Sequence, residues 1–545
     1  MIFIASIISQ LLILAVPIHG ANILGIALYD GNSHWLVMKS VLKSLEDAGH
    51  NITVITPYST AKDTNFTIID VSRILPLRTN AFDYDLLLKE YHNPLRSFHT
   101  LPNLSLGQCD KAHASREVQE ILKYGHHFDL VISEVFGTDC DAVFAHLLKV
   151  PLISVITSTL LPWVNDRVGN PQNPSYISNI MLPYSDQMTF KQRAINVFFY
   201  LYSSASAWYY NRVTTYLNRK HFGSEIPAVE NILGKTSLIF INSHFSVDVA
   251  RPYVPNIVEI GGIHLKPAKT LPQDLAQFLD DSKHGTIYFS LGSIIRATSL
   301  PNRTIDALRE AFAELEYNVL WKFEDESLNV SSNVLIRKWF PQRDILAHKN
   351  IKLVIMHGGL MGLYETIDVG VPVIGLPLFF DQQRNMQNLV SKGAALRLQI
   401  DKITKNHFLE SIRRVIGDKR FKQQAMELSR RFHDRIVHPS QSVVYWTEYV
   451  INYKGAHHLM SGVTELYWFQ AINLDVFALY LLIILVASYA MKKISSTFLN
   501  WARKLSIQGH TVFDSASNGS ISEKNIQNGT HKNGQLKKST HLKVN

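Results

Sequence analysis

The chain is a succession of short apolar runs, each closed by a turn of small or polar residues and followed by a stretch with helical spacing. "NILGIALYD", the turn "GNSH", the helical "WLVMKSVLKSLEDAGH" and then "NITVITPY" set the pattern. Val37, Val41, Leu45 and Ala48 share one face of the middle segment, as a helix lying on a sheet requires. Strand, helix, strand in this order means parallel strands with helices on their faces. "FDLVISE", "VPLISVI" and "TSLIFINS" carry the series to about residue 243, interrupted near 170–235 by a helical, aromatic segment, "VFFYLYSSASAWYYNRV". A proline-punctuated passage, "ARPYVPNIVEIGGIHLKPAKTLPQDL", then separates a second series. It consists of "GTIYFSLGS", a helix near 303–316, "YNVLWKF", "NVLIRKWFPQ", "IKLVI" and "VPVIGLPL". The expectation is α/β: two doubly wound, Rossmann-like domains facing across a cleft, with ligands at the carboxyl ends of the strands.

One such end is unusually rich in chemistry. Residues 356–382 read "MHGGLMGLYETIDVGVPVIGLPLFFDQ". A buried strand, a glycine turn and a helix N-terminus make a seat for a phosphate or diphosphate, because unpaired backbone amides and the helix dipole both favour negative charge there.

At 545 residues the chain has room for two domains and more. Residues 1–20, "MIFIASIISQLLILAVPIHG", suit a secretory signal peptide without the usual basic start, an uncleaved anchor being the alternative. Residues 474–491, "LDVFALYLLIILVASYAM", are near the ~20 needed to cross a bilayer. Tyr467, Trp468 and Phe469 precede this block, and Lys492 and Lys493 follow it. That asymmetry places the downstream side in the cytosol and the bulk of the protein in a lumen. From Lys492 onward nine Lys or Arg stand against two acidic residues, a net +7, which leaves only +2 of the chain's +9 for everything before. The basic character thus belongs to the tail, expected to be disordered, and gives no reason to expect nucleic-acid binding.

Five Asn-x-Ser/Thr sequons, at Asn51, Asn65, Asn103, Asn302 and Asn329, fall on the luminal side, and two more, at Asn518 and Asn528, in the tail. Cys109 and Cys140 are the only cysteines, which excludes a disulfide scaffold and leaves one bridge or two buried thiols open.

"WFPQRDILAH", "HGGLMGLYE" and "GVPVIGLPLFFDQ", with "FINSHF", "GGIH" and "FSLGS" before them in order, resemble the signature of the UDP-glycosyltransferases. The likeness covers residues 22 to about 505. The leader, terminal span and basic tail resemble the animal membrane-bound branch, and the Leu after His-Gly-Gly is arthropod-like. The resemblance implies a GT-B fold, with an acceptor domain at 21–255 and a UDP-sugar domain at 256–440. A helical and juxtamembrane segment at 441–472, a span at 473–491 and a tail at 492–545 complete the expected layout. The aromatic segment near 170–235 is expected to be a mobile acceptor wall.

Residue types and family then agree on roles. Ser290, Gly292 and Ser293 form a small loop able to approach a phosphate. His357 and the amide of Gly359 sit at a helix N-terminus, suited to the diphosphate. Trp339 offers a flat face for uracil, Gln342 a hydrogen bond to the nucleotide, Glu365 acceptors for both ribose hydroxyls, and Asp381 and Gln382 groups to read sugar hydroxyls. Each of these residues, taken singly, also fits an ordinary polar or core position; the ordered set carries the reading. One departure stands out: most relatives carry Asn or Ser just after the glycines, where this chain has Leu360, Met361 and Gly362.

His34 is the expected base, at the end of a strand's turn and just before a helix whose positive end disfavours imidazolium. Its acidic partner is expected in "FDLVISEVFGTDCDAV". Asp139, which keeps the family's residue type, is preferred; Glu134, which follows the strand without a gap, stays open. Asp83-Tyr84-Asp85 and Asp139-Cys140-Asp141 resemble metal-binding triplets of another glycosyltransferase fold, but no metal and no cofactor beyond the UDP-sugar co-substrate is expected.

The expected activity is inverting, metal-independent transfer of a hexose, glucose in preference to glucuronate, from a UDP-sugar to a hydroxyl of a small lipophilic acceptor. Arg384 is the cation near Asp381 and Gln382 that a glucuronate donor would need, or else an ordinary loop residue. The expected setting is the endoplasmic reticulum membrane, with luminal domains, a bilayer as partner and a homo-oligomer as a further option. The rival readings are a catalytically weak membrane-bound binder of hydrophobic small molecules, and a transferase acting on lipids or glycoproteins.

Overall fold

A computed structural model describes residues 20–59, 63–77, 82–123 and 127–517, with side chains to residue 508. The expected signal segment and the tail sequons at Asn518 and Asn528 lie outside the described residues. The chain divides into two compact units, Met1–Glu465 and Leu466–Asn545.

The first unit holds two parallel sheets. One contains β1 (Asn22–Ile26), β2 (Asn51–Thr56), β3 (Thr67–Asp70), β4 (Leu130–Glu134), β5 (Leu152–Ile156), β6 (Thr236–Ile241) and β7 (Ile257–Glu259), in the order β3-β2-β1-β4-β5-β6-β7. The other contains β8 (Thr286–Ser290), β9 (Asn318–Lys322), β10 (Val334–Arg337), β11 (Ile351–Met356), β12 (Val373–Gly375) and β13 (Ala395–Arg397), in the order β10-β9-β8-β11-β12-β13. Helices cover both faces of each, so β4, β5, β6 and β8 are buried along their whole length. Alternation along a strand divides the core between the faces. Ile23 packs with Val37, Val41 and Leu45 of the helix Asn32–Asp47, while Leu24 and Ile26 pack with Phe144 and Val229 on the other side.

The two halves are not contiguous in sequence. β7 pairs with β6, so the first sheet runs past residue 255, where the acceptor domain was expected to end. The helix Pro439–Asn452 returns to the first half, burying Val443 and Val450 in the cluster that holds Val37 and Val41. In the opposite direction, Tyr84 and Leu87 of the helix Tyr84–Glu90 are buried in the second half's core with Ile295 and Leu308. The Tyr84 amide donates to Ser299 Oγ at 2.8 Å, and Asp83 pairs with Arg296.

Cys109 and Cys140 form a disulfide across a Cα–Cα distance of 6.5 Å. The side chains at the five expected luminal sequons, Asn51, Asn65, Asn103, Asn302 and Asn329, are all exposed. In the second unit one helix, Leu474–Ser517, includes a segment, Leu474–Gln508, long and apolar enough to cross a membrane. The helix continues beyond the expected span end at Met491, through Lys492 and Lys493.

Candidate active site

Both sheets reverse their strand order at one point, between β1 and β4 in the first and between β8 and β11 in the second. Loops leave such a switch point in opposite directions and open a crevice at the carboxyl ends of the strands. The two crevices belong to one cleft of about 710 Å³, lined from the first half by Tyr29, His34, Phe136 and Thr157. All ten residues expected to hold the donor line it from the second half.

His34 stands in the first turn of the helix Asn32–Asp47, rather than before it. Its Nδ1 lies 2.5 Å from Oε1 of Glu134, the last residue of β4, and 2.7 Å from Oγ1 of Thr157, which follows β5. Thr157 Oγ1 also donates to the same Glu134 oxygen, at 3.1 Å. A carboxylate at Nδ1 fixes the tautomer with the proton on that nitrogen and leaves the Nε2 lone pair free for a ligand. Tyr29 and Phe136 flank the imidazole, with ring centroids 4.5 and 4.3 Å away. Phe380, from the second half, meets Phe136 edge-on at 5.5 Å. Its φ of +55° is a left-handed conformation rare for an aromatic residue. Two aromatic rings thus flank His34, and Phe380 extends that wall behind Phe136.

Asp139, preferred from the sequence as partner of His34, is not beside it. Its carboxylate receives both terminal nitrogens of Arg167, Nη1 at 2.6 Å, and the pair is buried. The strand runs straight from Leu130 to Glu134 and delivers the glutamate to the switch point; the loop that follows carries Asp139 to another neighbour. Two other members of the acidic triplets are also engaged. Asp83 holds Arg296, and Asp141 Oδ1 lies 3.0 Å from His113 Nε2. Cys109, His113, Cys140 and Asp141 form a buried group with ligand atoms within 4.8 Å of one another, but both sulfurs belong to the disulfide.

In the second half, β8 ends at Ser290 and turns through Gly292, whose φ is +85°. A Cβ on Gly292 would stand 2.7 Å from Cε1 of His357, and a Cβ on Gly359 would collide with Nε2 of the same ring. The two glycines thus hold the imidazole between the loops after β8 and β11. Its enclosure there, with the Lys322 ammonium adding to the effect, pushes the His357 pKa down to about 4. Gly359 caps the helix Leu360–Asp368 without a side-chain bond, so its first-turn amides face the cleft unassisted.

Trp339 is 70 % exposed, a free flat face rather than core. Gln342 accepts from Tyr288 at 3.2 Å and donates to Glu365 Oε2 at 2.5 Å; burial raises the Glu365 pKa. Asp381 is also raised by burial, while Asn385 and the nearby His34 oppose the rise. The Gln382 side-chain oxygen accepts the amides of Leu378 and Phe379, at 2.9 and 3.3 Å, so only its NH₂ remains for a ligand. Arg384 is buried and points elsewhere: its Nη2 lies 2.5 Å from Asp248 and its Nη1 donates to Thr159 at 3.2 Å. Sequence reasoning missed Thr157, Phe136, Phe380 and Lys322. Each is an ordinary residue type at a strand end or loop, and only strand order brings it to the cleft.

Residues 22–508 match the family described as UDP-glucoronosyl and UDP-glucosyl transferase. The chain is 42 % identical over 485 residues to UDP-glucosyltransferase 2 of Dactylopius coccus, covering 88 % of this chain and 94 % of that protein. It is 30 % identical over 492 residues to UDP-glucuronosyltransferase 2B1 of Rattus norvegicus, covering 85 % and 90 %. Among solved structures, the glycotransferase of kitacinnamycin superposes with a TM-score of 0.55 at 14 % identity, covering 81 % of this chain and all of that one. The calicheamicin glycosyltransferase CalG4 gives 0.52 at 15 %, covering 79 % and 99 %; both likenesses bear on the fold alone, which is GT-B. The chain belongs to the animal UDP-glycosyltransferases, enzymes that transfer a glycosyl group from a UDP-sugar.

Proposed function

We propose that the protein transfers a hexose, glucose by preference, from a UDP-sugar to a hydroxyl of a small lipophilic acceptor, with inversion and without a metal ion. The observation that carries this reading is the His34–Glu134 pair, 2.5 Å apart, on the wall of the cleft opposite the His357 loop. Nε2 of His34 takes the acceptor proton as the acceptor oxygen bonds to the anomeric carbon. The bond from that carbon to the diphosphate breaks on the other face, and its electron pair leaves with UDP. Glu134 stabilises the imidazolium, and the amides of the helix Leu360–Asp368 face the departing charge.

The aromatic wall of Tyr29, Phe136 and Phe380 suits a flat, apolar acceptor. Glucose is favoured over glucuronate because Arg384 is held by Asp248, while the Asp381 carboxyl remains in the cleft to receive hydroxyls. The carboxylates of the Asp-x-Asp triplets at Asp83, Asp139 and Asp141 already have partners, which favours metal-independent chemistry. The terminal span fits a single-pass membrane protein. The exposed sequons and the basic tail favour luminal domains in the endoplasmic reticulum. The test is incubation of the purified protein with UDP-glucose and a panel of phenols. UDP release together with products heavier by one hexose is expected; binding of the phenols without turnover would overturn the reading.

A further inference from the structure

Four uncharged elements surround the place where a diphosphate would rest: Ser290, Ser293, the His357 imidazole and the first turn of the helix Leu360–Asp368. That turn carries Leu360, Met361 and Gly362, none of which has a polar side chain to offer. Backbone amides and hydroxyls alone leave two phosphate charges uncompensated in a partly enclosed cleft, where unpaired charge is costly. A cation is needed, and the cleft contains one in the right place.

Lys322 ends β9, next to β8 in the sheet, so its side chain rises beside the loop that carries Ser290 and Gly292. It lines the cleft with its side chain only 12 % exposed, and its Nζ donates to the Gly292 carbonyl at 2.7 Å. Oε1 of Glu324 forms a long ion pair with it, 3.9 Å away and beyond hydrogen-bond distance, while the other oxygen of that carboxylate accepts the Thr298 amide at 3.1 Å. An ammonium has three N–H donors, so Lys322 keeps donors to spare. Burial lowers its pKa, which an anion bound beside it would reverse. Of the other cations lining the cleft, Arg343 already pairs with Asp368 at 2.6 Å and donates to the Lys266 carbonyl, and Lys266 and Lys269 lie on the segment after residue 264 rather than beside the Ser290–Gly292 loop.

We propose that Lys322 binds the donor diphosphate directly, and that its charge takes up the negative charge left on UDP when the glycosidic bond to the phosphate oxygen breaks. The assignment rests on the UDP-sugar reading above. It places Lys322 in the role that polar side chains after the glycine pair would otherwise share. The positive charge matters, not only the bond to Gly292.

The test compares UDP with uridine as ligands of the full-length protein in detergent, by calorimetry, for wild type, Lys322→Gln and Lys322→Arg. Gln keeps a donor for the Gly292 carbonyl but removes the charge; Arg keeps the charge. The expected result is that Lys322→Gln weakens UDP by roughly 10–100-fold, as for a lost charge-assisted bond, while uridine is unchanged. Lys322→Arg should recover most of the UDP affinity, and kcat with UDP-glucose should follow the same order. An unchanged ratio of UDP to uridine affinity in Lys322→Gln, or an equal loss of both ligands, would overturn the proposal by showing a loop-shaping role. Wild-type protein with no preference for UDP over uridine would instead overturn the UDP-sugar reading, and the proposal with it.

Discussion

Nδ1 of His34 lies 2.5 Å from Oε1 of Glu134, although a hundred residues separate them in the chain. Adjacent parallel strands, β1 and β4, bring the two together at the point where the sheet reverses direction. His34→Ala should therefore lower kcat by roughly 10²–10⁴-fold, the range for a lost general base. Affinity for UDP should stay within twofold or so, since His34 belongs to the opposite half. Steady-state kinetics beside UDP binding check this; near wild-type turnover would remove His34 from the mechanism.

The two candidate carboxylates should separate cleanly. Glu134→Gln should cut kcat and add little further loss in the His34→Ala background, because the pair acts as a unit. Asp139→Ala instead strands the buried Arg167 guanidinium and should destabilise the fold by about 3–5 kcal/mol. Chemical denaturation and kinetics of both variants distinguish a positioning carboxylate from a structural one.

Glu365 stands behind Gln342 with its carboxylate in the cleft. Its removal as Glu365→Ala should weaken UDP inhibition by about 1.5–3 kcal/mol, the worth of hydrogen bonds to a charged acceptor. The same variant should lose the ability to tell UDP from its 2′-deoxy analogue. Equal discrimination in variant and parent would end the ribose assignment.

Donor preference follows from an arginine that is already engaged. With Arg384 bound to Asp248, a sugar carboxylate would face the Asp381 carboxyl without that cation. Side-by-side assays should give faster conjugation from UDP-glucose than from UDP-glucuronate; the reverse order would refute the assignment.

Gly292 tests the shape of the phosphate loop. Alanine at φ +85° costs about 1–2 kcal/mol in backbone strain alone, and its Cβ would press on His357 at 2.7 Å. Gly292→Ala should lose UDP binding while binding phenolic acceptors as before, measured by ligand titration of each.

The long central strands were legible because burial on both faces leaves continuous apolar runs with little else they can be. β3, β7 and β13 were not, and the reason is common to all three. "TIID", "IVE" and "ALR" are three- or four-residue strands at sheet edges, too short to show a period. In the site, the glycine-turn residues could be read because local spacing defines a strand-turn-helix. Thr157 and Lys322 carry no such local mark; each matters only through the strand beside it. The choice between Glu134 and Asp139 depended on where a five-residue loop turns, which neighbours distant in sequence decide.

The interlock of the two halves limits how such a protein can be recombined. Tyr84 and Leu87 fill a hollow in the opposite half, and Val443 and Val450 do the same in return. A chimaera of two relatives joined at the linker between the sheets would mate each borrowed half with a foreign plug. Compatible exchange requires that residues 82–90 match the recipient's second half and that the helix Pro439–Asn452 travel with the first. An exchange that leaves either plug behind would bury these side chains against surfaces that did not evolve with them.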